Sequence, residues 1–354
     1  MSVRAFHLGL FLSALALAGW VFGLHGRRAR ALGPAQEAAG TSPLALIPPG
    51  SAFVLSADVA ELRRAPLGKA LAQRFAQLGG ASGDLSALCG FDPLVALDQL
   101  ALAVPSAGEA ESAHAEDFGV VAAGHFSAAQ ITRCASAAIS QRGGEPVLAQ
   151  LGAFSSVRDR KREGGEVAAR DGGLLIVSGG RYFRDLLDAA AGNVAHREHE
   201  DAKDARHVAL RGALGSGAIL ATWLLPDGWF ERVAGEDAAR LSSLRGLQAI
   251  GARVDLSKEL RLSLLLDCTS PESASEIRAW LEQLRASLTE LPLDPLLAGA
   301  ARRIKSEPAG ARLRLDLTLD GAELTAALDA LLGPGGPGTA RAPSALGRGG
   351  SASP

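Results

Sequence analysis

The chain has 354 residues, 47% of them hydrophobic and 21% charged, which is enough apolar material for one large core or two smaller ones and too much for wholesale disorder. Its 36 basic and 38 acidic side chains leave a formal charge of −2, without the electrostatic footprint a dedicated nucleic-acid binder needs to displace counterions from phosphates. Nucleic acid is therefore not an expected partner.

From Leu8 to Leu24 there is no formally charged residue, and extending back to Ala5 adds only His7. About 20 such residues make a helix as long as the bilayer hydrocarbon is thick. The stretch predicts a membrane anchor carrying Leu8, Leu12, Leu17, Trp20, Phe22 and Leu24, with the indole at the headgroup boundary. Retention is expected over cleavage, because Ala16-Leu17-Ala18 comes early for a signal site and Ala29-Arg30-Ala31 follows a basic cluster. Two arguments on orientation conflict. Arg27, Arg28 and Arg30 outweigh Arg4 and favour a cytoplasmic body, whereas long domains cross regardless of flanking charge. The expectation is a single-pass membrane protein with a translocated body; the alternatives are a cytoplasm-facing body or a cleaved, secreted one.

The segments follow in order: residues 1–30 the anchor, 31–43 a Pro-containing tether, 44–193 a first α+β unit, 194–205 a polar linker, 206–333 a second unit, and 334–354 a Gly/Pro/Ser-rich tail expected to be disordered. Each unit opens with a strand running directly into a helix, AFVLSADVAELRR at 52–64 and AILATWLLPDGWFERV at 218–233. A hairpin and a helix follow in each. In the second unit these are GLQAIGARVDL (246–256), ELRLSLLLDC (259–268) and a helix entered at Ser270-Pro271 with Ile277, Trp280, Leu281, Leu284, Leu288 and Leu291 on one face. In the first they are DQLALAVP, FGVVAAGHF and a helix capped by Ser127. A further hairpin and helix close each unit, as in LLIVSGGRYFRDLLDAAAG and RLRLDLTLDGAELTAALDALLG. The fold class expected is α+β: two tandem pseudo-repeats of mostly antiparallel sheet with helices packed on one face, preceded by one N-terminal transmembrane helix.

Ile47 to Gly68 (IPPGSAFVLSADVAELRRAPLG) followed by Cys89 to Pro105 (CGFDPLVALDQLALAVP) resembles a loosely defined family of membrane-anchored bacterial envelope proteins of unknown function. The likeness covers roughly residues 44–140 and implies a tethered, extracytoplasmic α+β domain, single-pass in the bacterial inner membrane with its body facing the periplasm, with no catalytic residue attached to it. It also implies a disulfide between Cys89 and Cys134, which would place folding in an oxidising compartment. Three buried free thiols, with Cys268 the third, are the alternative.

Chemistry-bearing motifs are sparse. No C-x-x-C pair writes a zinc or redox site. The run holding His196, Glu198, His199, Glu200, Asp201 and His207 lacks H-E-x-x-H order and reads as a solvated linker before it reads as a metal site. Gly179-Gly180-Arg181 between a strand and a helix lacks the Lys-Ser/Thr ending of a phosphate loop and predicts a tight turn. Asp58 and Asp92 are expected to mark helix entries rather than to pair with Glu61 and Asp98 as acid and base. Arg63-Arg64 and the basic run 158–162 read as solvated, the latter able to touch anionic headgroups. No catalytic, cofactor or metal residue is assigned. The functional expectation is a non-enzymatic binding or scaffold module with an envelope protein, lipid or cell-wall partner. An apolar-ligand carrier and a hydrolase assembled around a residue such as His125 are the alternatives.

Overall fold

In the computed structural model, residues 42–69, 82–106, 118–161, 165–180, 182–193, 201–235, 238–290, 299 and 302–324 are described. The anchor residues Leu8, Leu12, Leu17, Trp20, Phe22 and Leu24 and the tail 334–354 lie outside them. Among the described residues no helix is long and apolar enough to cross a membrane.

A 3-10 turn at Pro43–Leu46 leads into β1 (Ser51–Asp58), which passes without a loop into α1 (Val59–Arg64). Asp58 makes that junction possible, its carboxylate accepting the Glu61 amide at 2.6 Å as an N-cap. Next come α2 (Ser82–Cys89), the single turn α3 (Pro93–Ala96), β2 (Leu97–Pro105) and β3 (Phe118–Gly124). The helix α4 (Ala128–Gln141) starts with a capping box between Ser127 and Gln130, and Asp92 caps α3 through the Val95 amide. Four strands follow, β4 (Pro146–Leu151), β5 (Phe154–Asp159), β6 (Glu166–Arg170) and β7 (Leu174–Gly179), then α5 (Tyr182–Ala190) and α6 (Asp201–Leu214). The rest is β8 (Ile219–Leu224), α7 (Trp229–Ala234), β9 (Leu247–Leu256), β10 (Glu259–Cys268), α8 (Pro271–Glu290), β11 (Lys305–Ala309) and β12 (Arg312–Asp320).

The strands among the described residues all join one twelve-stranded sheet in the order β11-β12-β10-β9-β8-β1-β2-β3-β7-β6-β5-β4, and every neighbouring pair is antiparallel. The fold is thus α+β, built on one large antiparallel sheet. Counting outward from the β1–β8 pair, the order is β1-β2-β3-β7-β6-β5-β4 on one side and β8-β9-β10-β12-β11 on the other. On both sides a third strand is followed by a helix and a hairpin that returns beside it. The hairpin β4–β5 is extra to the first side.

Helices lie on both faces of the sheet, and the expectation of a single covered face is corrected. On one face α4 packs on Val167, Ala169 and Leu175, and α8 on Leu266, Leu313 and Ile250. On the other, α5 packs through Tyr182 and Leu186 on Ala103, Val121 and Ile176, while α6 packs through Leu210 and Leu214 on Leu224, Ala249 and Leu265. The physical reason is in the strands. Runs such as Leu174-Leu175-Ile176-Val177 point large apolar groups both ways, and each set needs cover. Two glycines admit the helices on the second face: a Cβ on Gly119 would lie 2.5 Å from the Tyr182 ring, and one on Gly251 would lie 2.8 Å from Leu214.

Candidate functional site

The two faces of the sheet differ in chemistry, and the ladder registers show how far. One row of cross-strand partners runs Val177, Val120, Leu102, Leu55, Ala221, Ala252, Leu264, Leu315, crossing eight adjacent strands from β7 to β12 without a polar side chain. The next row, Leu175, Ala122, Leu100, Ala57, Ile219, Val254, Leu262, Leu317, is equally apolar. On the opposite face the corresponding row is Ile176, Val121, Ala101, Ser56, Leu220, Arg253, Ser263, Asp316. One face is therefore wholly aliphatic along these rows, and the other turns polar from the β1–β8 pair onward.

The flanks of the aliphatic face are covered: α4 lies against β4, β5 and β6, and α8 against β10, β11 and β12. At one border Leu62 of α1 and Leu324 pack with Leu256, Ala57 and Ile219. Between those helices, every member of the central row is half-buried rather than buried. The stretch from β7 to β9 contains five inter-strand spacings, about 24 Å at the usual strand separation. Alternation explains how the sequence writes this surface. Leu100, Leu102 and Val104 on β2, or Leu260, Leu262, Leu264 and Leu266 on β10, recur every second residue and so share one side.

Behind the β1–β8 pair, on the mixed face, sits a sealed polar cluster. His207 of α6 is 5% exposed, and its Nε2 meets the Ser51 carbonyl at 2.9 Å. A carbonyl only accepts, so Nε2 carries the proton, and Nδ1 of the neutral ring accepts a hydrogen bond from the Thr222 hydroxyl, 2.7 Å away. Ser51 donates its own hydroxyl to the Pro48 carbonyl at 3.0 Å and accepts from the Tyr182 hydroxyl at 2.5 Å. Asp204 reaches the Gly50 amide at 3.3 Å, and Arg211 hydrogen-bonds Ser56 while its Nη1 is buried without a partner. Burial pushes the His207 pKa below its ordinary value, with Arg211 adding to that direction and Asp204 and the Ser51 carbonyl opposing it. The same desolvation lowers Arg211. Thr222 is fully buried, so this hydroxyl–imidazole pair has no access to a substrate and acts as a structural clamp.

The other residues singled out from the sequence are dispersed. His125 is 44% exposed and pairs through Nε2 with Asp98 at 2.8 Å. Arg63, expected on a solvated face, instead donates to Asp98 at 2.7 Å and to the carbonyls of Val95 and Leu97, locking α1 onto the start of β2. Arg160 of the basic run is exposed and pairs with Glu145. Gly180 has φ of 61° and makes the turn after β7, while Arg181 lies outside the described residues. His196, Glu198, His199 and Glu200 also lie outside them; Asp201 opens α6 and His207 is interior to it, where a solvated linker was expected. The signal for that helix was His207, Leu210 and Leu214, spaced by three and four. Among the described residues no group of three or more His, Cys, Asp or Glu could hold a metal. Cys89 at the end of α2 and Cys134 on α4 form a disulfide spanning 45 residues of sequence. Cys268 is free and buried, its thiol pushed up to about 11 by burial and by Asp267.

No protein-family model and no curated protein matches the chain. Three crystal forms of TP0453 are similar among solved structures. Form III has 12% identity and a TM-score of 0.46 over 82% of this chain and 99% of that one. Form IV has 12% identity and 0.45 over 82% and 97%, and form I has 11% and 0.42 over 83% and 98%.

Proposed function

We propose that the chain is a non-enzymatic binding module of the bacterial envelope that accommodates the acyl chain of a membrane amphiphile on the aliphatic face of its sheet. The observation that carries this reading is the central row from Val177 to Leu315, half-buried and free of polar groups across eight strands. Alkyl chains suit such a surface because each buried methylene contributes about 0.8 kcal/mol without needing a hydrogen-bond partner. The distance of about 24 Å between β7 and β9 exceeds the roughly 15 Å of one hydrocarbon leaflet, so a lipid chain fits along it.

In this proposal the segment from Leu8 to Leu24 holds the chain at the inner membrane and the body faces the periplasm. The Cys89–Cys134 disulfide supports that placement, since such bonds persist in oxidising compartments. The body itself is read as a duplication, supported by the matching strand orders on the two sides of the β1–β8 pair.

The test uses the full chain in vesicles of phosphatidylethanolamine and phosphatidylglycerol containing a lipid with a photoreactive acyl chain. Crosslinks are expected on the peptides bearing Leu102 and Leu264, and Leu102→Gln is expected to reduce them about tenfold, the effect of roughly 1.4 kcal/mol. Crosslinks confined to residues 1–30 would show the anchor alone contacting lipid and remove the proposal.

A further inference from the structure

The sheet ends in two unlike edges. Strand β11 carries Lys305, Glu307 and Pro308, the charges and the missing N–H with which proteins block edge-to-edge pairing. Strand β4 reads Pro-Val-Leu-Ala-Gln-Leu, with no charge. Leu148 is 65% exposed and Leu151 37%.

The hairpin fixes which backbone groups of β4 face outward. Leu151 pairs with Phe154 across the two-residue loop Gly152-Ala153, and Gly152 has the φ of 60° that a tight hairpin turn requires. A two-residue loop makes its closing pair hydrogen-bonded, and bonded pairs then alternate. Ala149 with Ser156 and Val147 with Arg158 are therefore bonded inward, leaving the N–H and C=O of Leu148 and Gln150 directed away from the sheet.

We propose that β4 pairs antiparallel with β4 of a second copy of this chain about a two-fold axis at Ala149. In that register Leu148 exchanges both backbone bonds with Gln150 of the second copy, and Gln150 does the same with Leu148 of that copy. Val147 faces Leu151 of the second copy, twice, and Ala149 faces itself, so Leu151 gains an apolar neighbour while Leu148 stands opposite Gln150. The nearest ion pair, Arg160 with Glu145, comes beside the uncharged turn Gly152-Ala153 of the second copy, so no like charges meet. The interface is isologous and closes as a dimer, whereas pairing of β4 with a guarded β11 would propagate. It stands on the edge strand alone and does not depend on acyl-chain binding.

The experiment uses the full chain in detergent. Ala149→Cys puts two thiols across a non-hydrogen-bonded pair, where Cα atoms lie about 4.5 Å apart, within disulfide range. It is expected to form about ten times more covalent dimer on a non-reducing gel than Glu307→Cys on the other edge. Leu148→Pro removes only an outward N–H, which an edge strand tolerates, and is expected to convert dimer to monomer by light scattering with unchanged far-UV circular dichroism. Leu148→Lys, which keeps the hairpin backbone intact, is expected to do the same. A monomeric wild-type chain, equal crosslinking at the two edges, or a dimer that survives both Leu148 variants overturns the inference.

Discussion

The sealed imidazole of His207 couples the Thr222 hydroxyl, the Ser51 carbonyl and a helix across the middle of the sheet. Its pKa is depressed in the folded state, so between the ordinary value near 6.5 and the lowered one the unfolded chain binds more protons. Stability therefore rises with pH through that window and is lost on acidification, by at most about 1.4 kcal/mol per pH unit from this one group. The geometry supplies the alternative state: a protonated ring donates from Nδ1, and the Thr222 hydroxyl then has only the Val54 carbonyl, 3.4 Å away. Thermal melts of the wild type between pH 7.5 and the onset of carboxylate titration are expected to show this slope, and His207→Gln to flatten it. An unchanged slope in His207→Gln would assign the pH dependence elsewhere. Thr222→Val keeps the shape and leaves Nδ1 unpaired, with an expected loss of about 1–3 kcal/mol at neutral pH by denaturant titration. This cluster was not legible in the sequence. Ser51 lies 156 residues from His207 and 131 from Tyr182, and no local pattern marks a histidine that a sheet will bury.

Among the elements, legibility followed locality. The hairpin of β9 and β10, the cap at Ser127, and the helix entries at Asp58, Asp92 and Pro271 are set by neighbours a few residues apart, and the structure has them where alternation and capping place them. The hairpin of β4 and β5 is not legible in the sequence because Leu148, Gln150 and Leu151 sit at an open edge, where the inside-outside alternation that signals a strand is weak. The aliphatic face could be anticipated one strand at a time, but its continuity depends on strand order, which periodicity does not encode. The disulfide is an element-scale constraint, since it ties α2 to α4 across 45 residues. Closing a loop of that size removes about 4 kcal/mol of chain entropy from the unfolded state. Cys134→Ala is accordingly expected to lower the unfolding free energy by up to that amount. Reduction of the wild type should bring its Tm to that of the variant; a reduced chain with unchanged Tm would mean that the bond does not close in the folded protein.

At the scale of the whole molecule, the β1–β8 pair decides whether there are two folding units or one. The register Phe53 with Trp223 through Ala57 with Ile219 makes the sheet continuous across the middle, and the groups buried behind it come from both sides. Ser51 and Tyr182 belong to the first side, His207 and Thr222 to the second, and the bond from His207 Nε2 to the Ser51 carbonyl crosses between them, so separating the sides would leave both of its ends unsatisfied. An isolated first side would also expose β1 as an edge carrying Phe53 and Leu55, and an isolated second side would expose β8 with Trp223, which invites aggregation. The matching strand orders invite a reading as two independent domains, yet the seam argues for cooperative unfolding. Residues 44–193 and 206–333 made as separate polypeptides are therefore expected to stay unfolded or aggregate singly, and to give a soluble one-to-one complex when produced together. The intact chain is expected to unfold in one denaturant transition, with tryptophan fluorescence and far-UV circular dichroism superimposing. Two resolved transitions, or a first half that folds without the second, would show that the seam is a contact between finished domains rather than the centre of a single sheet.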